Sequence, residues 1–134
     1  MGQSPPGASY NVTGVGVPFF QGKAEFGSLT ATVRKWTTAG SKFAAAGDIL
    51  LSVRAPVGPT NLAPVDCALG RGLAGVRAGE VLDQRFLLWS LRANERLIAS
   101  MGKGSTFHLL LQAYPEAVAE EQPAAAVAGL PRRV

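Results

Sequence analysis

Two side chain types that could serve as nucleophile or soft metal ligand occur once each, Cys67 and His108. One of each does not make a zinc site from the usual ligands. A thiol–imidazole pair would need an activating polar setting, and both residues sit beside apolar neighbours, so Cys67 reads as a small buried thiol. A lone cysteine forms no intramolecular disulfide, and nothing here asks for an oxidising compartment. The acids are scattered. Asp48 and Asp66 could flank one hairpin, where carboxylates more often cap turns than form a catalytic pair. Two glycine-rich stretches resemble phosphate-binding loops and fail on spacing. In GVGVPF the third glycine of a dinucleotide loop would fall at Phe19. In GKGST, residues 102–106, Gly104 separates Lys103 from the hydroxyl residues that a P-loop places directly after its lysine. The charge and amides of GKGST could still hold a phosphate. No constellation supports independent catalysis.

The basic residues are more informative. Lys and Arg outnumber Asp and Glu by 13 to 9, and the isoelectric point is about 9.7. Such a balance permits a polyanionic partner without demanding one. Lys23, Arg34, Lys35, Lys42, Arg54, Arg71, Arg77 and Lys103 fall mostly at expected turns or strand ends, and Trp36 follows Arg34 and Lys35 directly. Arginine and lysine on loops contact phosphates, and arginine can grip guanine with two hydrogen bonds in the major groove.

The elements that would carry these residues follow from patterning. The chain has 134 residues, 47% of them apolar, enough for one domain with a real core. Residues 1–13 read as an extended polar arm. Alternation of Val15, Val17 and Phe19 suits a short strand, with Pro18 marking an edge or an end. Residues 29–38 are β-branched and read as a strand, and 41–46 as a connector with at most one helical turn. Ile49 to Val53 is an apolar run expected to be buried on both faces. APVGPTN reads as a turn, the chain returns through Ala63 to Ala68, turns at residues 70–72, and continues as a strand from Leu73 to Arg77. A β-meander is the economical arrangement. Asp83 is the expected N-cap of one helix from Gln84 to about Met101. Phe86, Leu87, Leu91, Ile98 and Met101 form its apolar face, with Arg92, Glu95 and Arg96 opposite. Gly102 ends it. A short apolar run, Phe107 to Leu111, leads into an Ala-rich tail interrupted by proline.

Four ordered blocks, GVGVPFFQGKAEFG, GDILLSVRAPVGPTN, CALGRGLAGVR and FLLWSLRANERLIASMGKGSTF, resemble the target recognition domain of type I restriction-modification DNA specificity subunits. The resemblance covers about residues 1–107. It implies an α/β (mixed α+β) fold, a twisted β-rich body with flanking helices, that reads one half of a split DNA target. It further implies no catalysis and no cofactor of its own. Modification subunits that methylate adenine with S-adenosylmethionine, and restriction subunits that use ATP, would dock on it. GDILLSVRAPVG would be scaffold, and residues 23–46 and 54–62 would carry the sequence-reading contacts. Lys23, Arg34, Lys35, Lys42, Arg54 and Lys103 are the expected DNA contacts, Arg54 on a base and Lys35 on a phosphate.

After Phe107 the chain departs from the family's pattern. Residues 108–134 read as a divergent tail, frameshifted or disordered, and EEQP at 120–123 is a faint echo of the family's EQ-containing stretch. A truncated single-domain form is expected, with the spacer helix and second domain absent. The alternatives are a degenerate inactive fragment, or a half-subunit acting as a homodimer. The N-terminus lacks the charged and apolar regions of a signal peptide, and no apolar run is long enough for a membrane span, so a soluble cytoplasmic protein is expected.

Overall fold

The computed structural model describes residues 1–101. The expected stop at Gly102, the GKGST loop with Lys103, the apolar run from Phe107 and the boundary of the tail lie outside the described residues. The elements run β1 (Tyr10–Asn11), β2 (Val17–Phe20), β3 (Trp36–Thr37), β4 (Phe43–Ala44), β5 (Ile49–Val53), β6 (Val57–Leu62), β7 (Cys67–Leu69), β8 (Leu73–Val76), α1 (Gln84–Ala93) and α2 (Glu95–Met101). Short 3-10 turns occupy Gly7–Ser9 and Lys23–Glu25. The strands form two sheets, β1-β3-β2-β7-β4 and β6-β5-β8. Among the described strands all pairings are antiparallel except β2 with β7. This is a mixed α+β fold.

The run ILLSV becomes β5 and is buried at every position. Successive strand side chains point to opposite faces, so a continuous apolar run needs a packed layer on each side. Leu50 joins Phe20, Ala44, Cys67, Leu69 and Leu73 in one core cluster. Ile49, Leu51 and Val53 join Val76, Leu88 and Ile98 in a second, which the helices help to close. Three layers result: the five-stranded sheet, the three-stranded sheet and the helices.

Several expectations yield to tertiary pairing. No meander forms, because β7 leaves β6 and β8 to pair with β2 and β4 in the other sheet. The expected strand over residues 29–38 reduces to β3, while Thr30 makes an isolated bridge to Leu62. That segment crosses between the sheets, so its two ends satisfy their backbone groups against different partners. The connector at 41–46 contains β4, and Leu69 N–H reaches Lys42 O at 2.8 Å. Pro18 lies in an interior strand, not at an edge. Phe19 N–H donates to Lys35 O on the β3 side, and pairing with β7 begins only at Phe19, so the proline nitrogen faces a side with no ladder bond to lose.

APVGPTN is mostly strand. Its turn shrinks to residues 54–56, with a cis peptide between Ala55 and Pro56, and β6 begins at Val57. The register to β5 shifts between Leu51 and Val53, where Gly58 and Pro59 together face the single residue Ser52. Gly58 takes φ +119°, and a Cβ there would press on the Glu95 carbonyl of α2. A bulge of this kind on an edge strand accommodates both residues. The N-terminal arm is not loose either. Gly2 N–H donates to Leu73 O and Gln3 N–H to Leu69 O.

Asp83 caps α1 as expected, its Oδ1 accepting from the amides of Arg85 at 2.9 Å and Phe86 at 3.1 Å. The single expected helix breaks at Asn94, whose side chain donates to Ser90 O. Such side-chain bonding competes with the helical ladder. The buried apolar residues of the two helices are Leu88 and Ile98, whereas Phe86, Trp89 and Leu97 are exposed. Arg92 was expected outside. It instead donates to Thr60 Oγ1 and to the carbonyls of Thr60 and Ser28, clamping α1 to β6.

Candidate nucleic-acid interface

The turns at the ends of β2, β5 and β7 meet at one end of the molecule. They enclose a cleft of about 490 Å³ lined by Ser4, Gln21, Gly22, Lys23, Arg54, Ala55, Arg71 and Gly72. Among the described residues, three cations and no carboxylate line it. Each of the three is exposed, and none of their side chains makes a hydrogen bond or ion pair with a described residue.

The loops that carry them are fixed to one another. Gly70 N–H donates to Phe20 O at 2.8 Å, and Val53 N–H to Gly72 O at 2.9 Å. A Cβ on Gly72 would collide with the Gln21 carbonyl, so only glycine lets the two backbones approach this closely. Ser52 Oγ donates to Pro56 O at 2.6 Å and sits within bonding distance of Arg54 O, closing the Arg54 turn from below. Arg71 N–H donates to Ser4 Oγ at 3.1 Å, tying the N-terminal arm to the cleft wall. Lys23 lies on the 3-10 turn before Gly27, and the Asn61 side chain binds both the N–H and the C=O of Gly27. The cations are thus presented by a backbone set before any ligand arrives.

Of the expected contact residues, Lys23 and Arg54 come together in this cleft. Arg34, Lys35 and Lys42 do not line it. Arg34 is exposed, and Lys35 and Lys42 are half-buried, with their carbonyls engaged by Phe19 and Leu69. Arg71 lines the cleft although it lies outside the expected contact set. Its flanking glycines in GRG were the available signal. Arg77 belongs elsewhere. Its guanidinium forks onto Asp48, Nε to Oδ1 at 2.7 Å and the terminal nitrogen to Oδ2 at 2.8 Å. The hydrogen bond to Asp48 raises the Arg77 pKa. Asp48 also accepts from Ala45 N–H, and Asp66 from Ala46 N–H, so both acids do turn chemistry. Cys67 is buried, and desolvation, with the charges of Asp48 and Asp66 adding to it, pushes its thiol well above the ordinary range. Among the described residues no group of His, Cys, Asp and Glu could hold a metal ion, and no helix is long and apolar enough to cross a membrane.

The fold and site define an α+β module that presents a rigid, cation-lined cleft. No family model matches the chain. Relatives do. A Methanocaldococcus jannaschii protein described as the specificity subunit of the type I restriction enzyme MjaX is 46% identical over 108 residues, covering 80% of this chain and 25% of that protein. The crystal structure of the specificity subunit HsdS from Thermoanaerobacter tengcongensis matches with a TM-score of 0.76 and 43% identity, covering 96% of this chain and 31% of that one. A structure describing complex assembly and conformational transition of the type I R-M system matches with a TM-score of 0.72 and 51% identity over 75% of this chain and 26% of that one. The homologues of this chain are therefore specificity subunits of type I restriction enzymes, and the match is consistent with a target recognition domain. The chain spans about a quarter to a third of the length of the relatives it matches.

Proposed function

We propose that this chain is a sequence-specific DNA-binding module of a type I restriction-modification specificity subunit. It reads part of a duplex target and directs methylation and cleavage by modification and restriction subunits, without catalysis of its own. The convergence of Lys23 and Arg54, from separate loops, on a cleft without acids carries this reading. Duplex DNA is a dense polyanion, and a module that binds it needs cations held apart from internal counter-ions. Arg34, Lys35 and Lys42 extend the contact beyond the cleft, and Lys103 contributes from beyond the described residues. Sequence is read where polar side chains on rigid loops reach base edges, and no nucleophile is required for that. The cytoplasm, where the DNA lies, is the compartment of action.

Selection of bound duplexes from a random pool, with the chain co-expressed with a matching modification subunit, tests the proposal. Enrichment of a short motif is the expected result. A soluble, folded chain that enriches nothing and shows no salt-dependent duplex affinity overturns it.

A further inference from the structure

We propose that the cleft between Lys23, Arg54 and Arg71 is a seat for a DNA backbone phosphate, with Arg71 a contact residue and Ser4 its positioning partner. This rests on the DNA-binding reading and adds a division of labour to it. The cleft fixes the register of the duplex, and bases are read elsewhere.

Charge favours this assignment over base reading for Arg54. A base edge is neutral, and one bidentate arginine satisfies it. Three cations on one small cleft repel one another, and no carboxylate among the described residues lines it to offset the repulsion. An anion between them turns that repulsion into attraction for the ligand. Arginine supplies forked donors suited to phosphate oxygens, and lysine a point charge. The volume, about 490 Å³, takes a phosphate with its adjoining sugar.

Construction favours it as well. The Arg71 turn rests on the backbone of Phe20 and Gln21, donates its amide N–H to the Ser4 hydroxyl oxygen, and is joined to the β5 end through Gly72. The Arg54 turn is held by Ser52 beneath it. Arg54 and Arg71 therefore project from turns joined through Gly72, and the loop to Lys23 is tied at its base where Phe20 O accepts from Gly70, so little ordering remains when the anion arrives. A phosphate contact carries no sequence information but fixes orientation. Lys23 and Arg54 open the segments at 23–46 and 54–62, so a rigid seat that includes them is placed for that task.

The test compares the full chain with Arg54→Ala, Arg71→Ala, the double variant and Arg85→Ala, a cation on α1 outside the cleft. Each is assayed beside the modification subunit for duplex affinity against salt and for the motif it enriches. Arg54→Ala and Arg71→Ala should each weaken binding about 5–10-fold on every sequence and lower the salt slope by about one. The enriched motif should be unchanged. Because both cations share one seat, the double variant should lose less than the product of the single losses. Arg85→Ala should match the parent chain. An enriched motif with a parental salt slope in Arg71→Ala overturns the seat and leaves the DNA-binding reading standing. Loss of preference at one base position in Arg54→Ala overturns it in favour of base reading. If the parent chain binds no duplex, the DNA-binding reading fails and so does a seat for DNA. Titration with inorganic phosphate then separates the sources. Amide shifts at Gly22 and Gly72 that disappear in Arg71→Ala would identify a site for free phosphate instead.

Discussion

Arg77 and Arg71 stand six positions apart, on either side of β8, and have opposite fates. Arg77 is half-buried and forked onto Asp48, which also binds the Ala45 amide. Around it Gln84 ties the start of α1 to Gly47, Val76 and Ala78. Arg71, at the other end of the strand, is exposed and faces a cleft with two more cations. One end of the sheet spends its charge on holding the fold together. The other keeps its charge available, with backbone hydrogen bonds holding the loops in place of ion pairs. A binding surface built this way loses none of its cations to internal pairing.

The largest expected effect is at Asp48. Asp48→Asn keeps the shape and removes the charge that answers Arg77, and should cost about 3 kcal/mol of stability, read by urea unfolding. A cost below about 0.5 kcal/mol, the range of an ordinary surface change, would show that the pair does not hold this end. Asn61→Ala bridges the two regions. It removes both bonds to Gly27 and should cost about 1–3 kcal/mol. It should also weaken duplex binding, because the loop that carries Lys23 loses its anchor. Unchanged binding at reduced stability would mean that Lys23 does not depend on that anchor.

Burial in the core also governs the titration of Cys67. Its folded pKa is raised above the ordinary thiol value of 9.0. The unfolded chain therefore releases this proton first as pH rises. The contribution is fully present below pH 9 and is lost above it, by about 1.4 kcal/mol per pH unit. Cys67→Ala should flatten that alkaline decline in a series of melts. An equally steep decline in the variant would assign the loss to other groups. The smallest effect on stability belongs to the cleft. Arg54→Ala and Arg71→Ala should change unfolding free energy by no more than about 0.5 kcal/mol, since neither side chain has a partner among the described residues. A larger destabilisation would mean that these cations support the fold after all.

Strong local rules made part of this architecture legible. The ILLSV run required two packed faces and received them. Asp83 before an amphipathic stretch marked the helix start, and the turn at 70–72 followed from its glycines. Lys23 and Arg54 stood out because charge on a turn is exposed wherever the turn lies. Arg77 and Arg92 misled for the same reason, since no local pattern tells an exposed arginine from one that has found Asp48 or the Thr60 carbonyl. β6 was hidden by Pro59, which a sequence reading takes as a breaker and an edge-strand bulge absorbs.

The buried strand, the helix cap, the lack of a second cysteine for a disulfide and the surplus of positive charge are all set by local order and composition along the chain. These depend on residues a few positions apart or on simple counts. The tertiary structure alone decided that β7 would leave its neighbours for β2 and β4. It also decided that the helix would split at Asn94, and that Lys23, Arg54 and Arg71 would share one cleft while Arg77 was neutralised. The reason is range. Propensity and periodicity act between near neighbours in the chain, whereas an ion pair or a cleft forms between residues whose separation is set by how the sheets pack.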